Sequence, residues 1–236
     1  MKLLRSNNVA PTSCRGINFL ASLWLGLLDF LFPISCVGCA AGKTHCCQLC
    51  WANISNHRPT IQKISHADNE PGLDGIIYAA VHQEKSPLSQ LIHRFKYDGA
   101  QEIGKILAQF FINIKSPADF SILIPVPLHP RRHRFRGFNQ SKILAQEIGK
   151  YWQSPVQEIL KRHRYTPPQV ELSRNNRLKN VRGAFSLIYG TRINPQATYF
   201  LIDDVCTTGT TLRECARVLK HHGAQKVWGF VIARAL

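Results

Sequence analysis

A chain of 236 residues, 44% apolar and 9% aromatic, can bury a good core as one large domain or as one domain with a small module. That ordinary globular composition excludes a low-complexity chain, and no internal repeat stands out. Thirty Lys and Arg against 14 Asp and Glu give a formal net charge of +16. This points either to a polyanionic partner or substrate, nucleic acid or polyphosphate, or to a plain solvated basic surface. The charge is uneven: residues 116–192 carry 14 basic and 4 acidic side chains, so +10 of the +16 lies in that third.

In chain order, residues 1–15 read as a disordered tail. Residues 17–32 are strongly apolar and follow Lys2, Arg5 and Arg15, but they fall short of the roughly 20 residues a membrane span needs. Asn18, Ser22, Gly26 and Asp29 share one helical stripe. An amphipathic helix packing on the domain is therefore expected, with contact to a membrane surface or a partner as the second option and a cleaved signal as the third. Cys36 and Cys39, then Cys47 and Cys50, form two Cys-x-x-Cys pairs that can offer four thiolates to a tetrahedral zinc. Gly38 and Gly42 allow the tight turns. Cys46 or His45 is an alternative to Cys47 as the third ligand, and free thiols are the plain alternative to a metal. Four thiolates leave no open coordination position, so the expected zinc is structural. Cys14, Cys206 and Cys215 are scattered and read as unpaired in a reducing compartment, the cytoplasm. The expected organisation is a helix plus four-cysteine zinc module over 16–56, a linker over 57–72, and a second domain over 73–236, with no transmembrane span.

The second domain opens with a strand over 75–81 and a helix over 86–96. Lys96 and Tyr97 stand at that helix end, beside Gly99, as substrate-phosphate contacts or as ordinary surface residues. Ile103, Ile106, Leu107, Phe110 and Phe111 trace another helix face. A short strand over 122–126 runs straight into a basic loop over 127–139 that carries Arg131, Arg132, Arg134 and Arg136. Arginine forks match phosphate oxygens bidentately and keep their charge. Asn139 or Ser141 can cap the following helix, whose core face is read as Leu144, Ile148, Tyr151 and Trp152. The rival reading of this loop, with Asn139, is a nucleic-acid patch in which Phe135 and Phe138 are stacking platforms. Residues 160–185 are long and basic, broken by Pro167 and Pro168, and suit a lid or a nucleic-acid channel.

Residues 199–211 organise the rest. An apolar strand is expected to end in Asp203 and Asp204, followed by a loop with Thr207, Thr208, Gly209, Thr210 and Thr211 and then a helix with Leu212, Cys215, Ala216 and Leu219 on one face. A strand, a tight glycine loop and a helix start make an anion site, because the first amides of the helix point outward unpaired. The two carboxylates instead suit the 2′ and 3′ hydroxyls of a ribose. In a parallel sheet the 127–139 loop would lie at the same edge. The chain's Gly42-Lys43-Thr44 is not a Walker P-loop, since Val37 stands where the leading glycine belongs.

The 199–211 stretch, YFLIDDVCTTGTT, resembles the signature of type I phosphoribosyltransferases, which bind 5-phosphoribosyl-1-pyrophosphate (PRPP). Over residues 20–236 the chain resembles the ComF/GntX family. The resemblance rests on that stretch, the two cysteine pairs, FKYDG at 95–99, PVPLHPRRHRFRGFNQS at 125–141 and TPPQVELSRNNRLKNVRGAF at 166–185. It implies an α/β fold, a type I phosphoribosyltransferase-like parallel sheet flanked by helices, with a small N-terminal zinc knuckle. It also implies PRPP bound with Mg²⁺ and a role in natural competence, the uptake or use of incoming DNA. By the same resemblance Asp203 and Asp204 are ribose ligands, Cys206, Thr207, Thr208, Gly209, Thr210 and Thr211 form the 5′-phosphate loop, and residues 127–139 take the pyrophosphate position. No recognisable hood for a base is present, so the acceptor has no name, and Cys206 occupies a linker position and reads as structural. Three functions remain open: a phosphoribosyltransferase of unknown acceptor, a non-catalytic single-stranded DNA-binding protein beside a competence helicase or pore, and a zinc-dependent adaptor.

Overall fold

The computed structural model describes residues 34–56, 59–64, 72–98, 101–111, 120–165 and 181–235. The tail over 1–15, the apolar segment at 17–32 and residues 166–180 of the basic stretch lie outside the described residues.

Four apolar runs become parallel strands because continuous burial on both faces leaves no room for alternation with polar residues. They are β2 (Gly75–Val81), β3 (Ser121–Pro125), β6 (Thr198–Cys206) and β7 (Lys226–Arg234). The sheet order is β1-β2-β7-β6-β3, with β1 (Thr60–Lys63) added antiparallel at one edge. β1 falls in the stretch expected as linker. Its four residues are all exposed, so no hydrophobic pattern marks it, and it is held by pairing Thr60–Lys63 with Tyr78–Gly75.

Successive side chains of each strand fall on opposite faces, and two buried clusters follow. Ile77, Ala79, Leu123, Phe200, Ile202 and Phe230 pack on one face, and Ile76, Ile122, Ile124, Tyr199, Leu201 and Val231 on the other. The first face is covered by α2 (Pro87–Tyr97), α3 (Ile103–Ala108) and α5 (Gln140–Trp152), with Ile54 of α1 (Gln48–Ser55) in the same buried cluster. Phe200, Phe230 and Trp152 form an aromatic knot there, with centroids 4.9 to 6.3 Å apart. The fully buried Phe200 and Phe230 each contribute about 1.5–3 kcal/mol. The second face is covered by α6 (Thr210–His221) and by a two-stranded ribbon of β4 (Leu160–Arg162) and β5 (Phe185–Leu187). α5 buries Leu144, Ala145, Ile148 and Gly149. Tyr151, expected in that face, is 51% exposed, because the buried positions centre about a quarter turn away from it at 3.6 residues per turn.

Two local outcomes differ from the sequence reading. The basic loop contains a helix, α4 (Pro130–Arg136), between β3 and α5. Pro130 stands at its first position, His129 Nδ1 accepts from the Arg131 N–H (3.1 Å), and Gly137 closes it at φ 79°, the usual asymmetry of proline at the start and glycine at the end. It buries no residue, so no apolar stripe announces it. The acidic pair also does not end its strand: β6 runs on to Cys206, paired with Arg234 of β7. Among the described residues no helix is long and apolar enough to cross a membrane.

Candidate functional site

β3 and β6 are parallel neighbours, with Pro125 opposite Ile202. The segments leaving their carboxyl ends therefore rise side by side, the position where open α/β sheets take ligands. Between them lies a cleft of about 530 Å³. Its floor holds Asp203 and Asp204, its side at the β6–α6 loop Thr207 and Thr211, and its basic side Arg131, Arg132 and Arg136 of α4. Lys96 and Tyr97 from the end of α2 complete it, with Arg162 of β4. Five cationic side chains thus face two carboxylates.

The carboxylates are held differently. Asp204 is buried and pairs with Lys96 Nζ at 3.1 Å. Asp203 is half-buried, and its Oδ1 accepts from Ser141 Oγ (3.0 Å) and from the Asp204 N–H (2.9 Å). Burial, and then the charge of Asp204, push the Asp203 carboxyl up to about 7, against the pull of the Asp204 amide, Lys96 and Ser141.

In the β6–α6 loop, Gly209 sits in the left-handed region at φ 74° and precedes α6, a conformation that glycine adopts without strain. No side chain caps that helix, so its first amides face the loop. Thr208 and Thr210 share a hydroxyl bond of 2.7 Å. Cys206 is buried, and burial pushes its thiol up, which suits packing.

Helical geometry sorts the arginines of α4. At 3.6 residues per turn, positions 131, 132, 135 and 136 share the face that lines the cleft, with Phe135 at its mouth. Arg134 falls on the other side and does not line it. Asn139 is buried as the cap of α5: its Oδ1 accepts from the Ser141 N–H and its Nδ2 donates to the Val126 carbonyl, each at 3.1 Å. Its side chain ties the start of α5 to the residue that follows β3, and it does not line the cleft. Phe138 is buried against Phe95 and is no stacking platform, whereas Phe135 is 81% exposed.

The structure adds Arg162 and Tyr165, which sequence reasoning missed. Arg162 is buried, lies over the Phe185 ring at 5.2 Å and opens onto the cleft. Tyr165 carries the Arg131 guanidinium 5.0 Å from its centroid, and Tyr97 does the same for Arg136, also accepting from it at 3.3 Å. The one signal for Arg162 was period-two spacing with Leu160, both buried around exposed Lys161.

Away from the cleft, the Sγ atoms of Cys36, Cys39, Cys47 and Cys50 all lie within 4.8 Å of one another. The Cys39–Cys47 separation is 3.7 Å. Sulphurs about 2.3 Å from a central zinc stand about 3.8 Å apart in a tetrahedron, so the set fits such an ion. Burial pushes the Cys36 thiol up, but the N–H groups of Cys47, Cys39 and Gly38 aimed at its sulphur outweigh this and bring it down to about 6. A Cβ on Gly38 would stand 2.6 Å from Cys50 Sγ, so the cradle needs glycine there. Cys46 lies outside the cluster, its thiol pushed up to about 11 by burial and then by Cys36. The cluster could hold a metal such as zinc.

No family model matches the chain. Among solved structures it is similar to adenine phosphoribosyltransferase from Leishmania tarentolae, 14% identical over 74% of this chain and 94% of that one, with a TM-score of 0.39. It is also similar to the allosteric regulatory enzyme of purine biosynthesis, 22% identical over 56% of this chain and 25% of that one, with a TM-score of 0.33. Among curated proteins it is 33% identical to Competence protein F of Haemophilus influenzae over 70% of this chain and 75% of that protein. It is 30% identical to DNA utilization protein YhgH of Escherichia coli K12 over 85% of this chain and 84% of that protein, and 24% identical to Competence protein ComFC of Streptococcus pneumoniae over 68% and 69%. With relatives at this identity over most of both lengths, the chain belongs to the family of Competence protein F and DNA utilization protein YhgH.

Proposed function

We propose that the cleft binds PRPP together with Mg²⁺, and that the protein works in the cytoplasm in the uptake or use of incoming DNA, with zinc as a structural ion in the four-cysteine cluster. One observation carries the reading: an acidic pair and five cations face each other across one cleft, at the ends of neighbouring parallel strands. The 5′-phosphate takes the amides and hydroxyls of residues 207–211, where the start of α6 favours an anion. Asp203 and Asp204 accept from the ribose hydroxyls. Arg131, Arg132, Arg136 and Lys96 take the pyrophosphate, an arginine fork fitting each pair of its oxygens. Magnesium, when bound, would neutralise the pyrophosphate, and the Asp203 and Asp204 carboxylates within β6 are the oxygen donors it would meet. If the pyrophosphate leaves in favour of an acceptor, these cations stabilise the charge that develops on it, while the carboxylates hold the ribose by hydrogen bonds and form no covalent bond to it. Two charge-assisted hydrogen bonds at about 1.5–3 kcal/mol each put the ribose among the main sources of affinity. Asp204→Asn should therefore weaken PRPP at least tenfold by calorimetric titration, and unchanged affinity would count strongly against the reading.

A second reading has its own observation. Phe135, Tyr97 and Tyr165 stand 81%, 52% and 38% exposed around the mouth of the cleft, interleaved with arginines. Exposed rings alternating with guanidinium groups suit single-stranded DNA, whose bases stack while its phosphates pair. The two readings are compatible on one surface, and in the second the protein would serve beside a DNA-uptake helicase or pore.

A further inference from the structure

Four consecutive residues at the end of α2 touch four different parts of the molecule. Arg94 donates to the backbone carbonyl of Ser35, the residue before Cys36. Phe95 is fully buried and packs on Phe138, with centroids 5.9 Å apart, just beyond the end of α4. Lys96 pairs with Asp204 at 3.1 Å, and Tyr97 meets Arg136. Consecutive helical residues lie 100° apart, so one turn can face every direction. This turn joins the four-thiol module to both walls of the cleft. The core repeats the connection: Val37, Cys46 and Ile54 pack in one buried cluster with Leu91, Ile92 and Phe95.

We propose that Arg94 is a positioning residue through which metal occupancy of the four-cysteine cluster sets the anion affinity of the cleft. The choice of anion rests on the reading of the cleft given above; the coupling itself is a property of the fold. Cys36 holds its sulphur among backbone amides, and the bridge from Ser35 to Gly42 closes the same small loop. A bound cation fixes that loop by its thiolates. Without one, the grouped sulphurs lose the charge that holds them together, the Ser35 carbonyl loses its place, and Arg94 loses its acceptor. The turn that aims Lys96 at Asp204 and Tyr97 at Arg136 is then loosened. Coupling between two binding sites is reciprocal, so an anion in the cleft must change metal affinity by the same factor, about fivefold or more in typical cases.

The test uses the full chain, metal-loaded, with inorganic pyrophosphate as probe, comparing wild type, Arg94→Gln and Arg94→Lys. Three quantities are measured: pyrophosphate affinity by calorimetry, metal transfer to a chromogenic chelator with and without pyrophosphate, and amide hydrogen exchange over 94–98 before and after metal removal. The proposal expects Arg94→Gln to bind pyrophosphate about fivefold or more weakly, and Arg94→Lys to recover part of the loss. It expects pyrophosphate to slow metal transfer in wild type but not in Arg94→Gln, a linkage that a merely structural residue would not abolish. A folded, metal-replete Arg94→Gln protein with wild-type pyrophosphate affinity and linkage overturns it. If wild type binds no pyrophosphate, the reading of the cleft fails, and exchange decides the coupling: lost protection at 94–98 on metal removal supports it, and unchanged protection overturns it. If removing the metal unfolds the whole chain, exchange of metal-loaded Arg94→Gln decides in the same way.

Discussion

Asp203 and Asp204 sit side by side in sequence, yet their surroundings separate them. Lys96 holds Asp204 as an ion pair at 3.1 Å, while burial and that neighbouring charge push Asp203 up to about 7. An unfolded aspartate ionises near about 3.9. Between these values the folded chain keeps a proton that the unfolded chain has lost, so this group's stabilisation is full below about pH 4 and fades as pH rises through about 7. Ribose hydroxyls donate best to the ionised form, so PRPP affinity should move the other way and rise between pH 6 and pH 8. The ligand's own phosphates titrate near about pH 6; Asp203→Asn, measured in parallel, removes their contribution, and equal pH dependence in both proteins would refute the assignment. Lys96→Met should leave Asp204 buried without its cation and cost about 1–3 kcal/mol, read by urea unfolding at neutral pH.

At the scale of elements, one glycine carries geometry that no side chain can share. Gly38→Ala would drive a Cβ to 2.6 Å from Cys50 Sγ, so metal content by elemental analysis should fall below stoichiometric while far-ultraviolet circular dichroism stays near wild type. Retention of full metal in Gly38→Ala would show that the four sulphurs do not need this cradle. The four parallel strands, the α2 and α6 helices and the acidic pair were legible in the sequence, because continuous apolar runs and a regular helical stripe report burial directly. α4 was not: a helix with no buried residue leaves no stripe, although proline at 130 and glycine at 137 marked its ends. Arg162 was hidden for the opposite reason, since a buried arginine looks in sequence like one more charge in a basic tract. Phe138 was misjudged because sequence alone cannot tell an aromatic that packs on Phe95 from its exposed neighbour Phe135.

Over the whole molecule, a net charge of +16 attracts any polyanion, so binding alone distinguishes little. The salt response separates the readings. A single strand held by the α4 face should lose affinity with a log–log slope of about −0.7 for each phosphate contacted, and replacing Arg131, Arg132 and Arg136 should flatten that slope. A flat response in wild type would leave the exposed aromatics without a nucleic-acid role. The central claim is the PRPP site, and its most direct test is calorimetric titration of the zinc-loaded protein with PRPP and Mg²⁺ beside the Asp203→Asn/Asp204→Asn double variant. Saturable binding in wild type, lost in the variant, is the expected result. Absence of binding by folded, zinc-loaded wild type would contradict it and make the basic face, not the acidic pair, the seat of function.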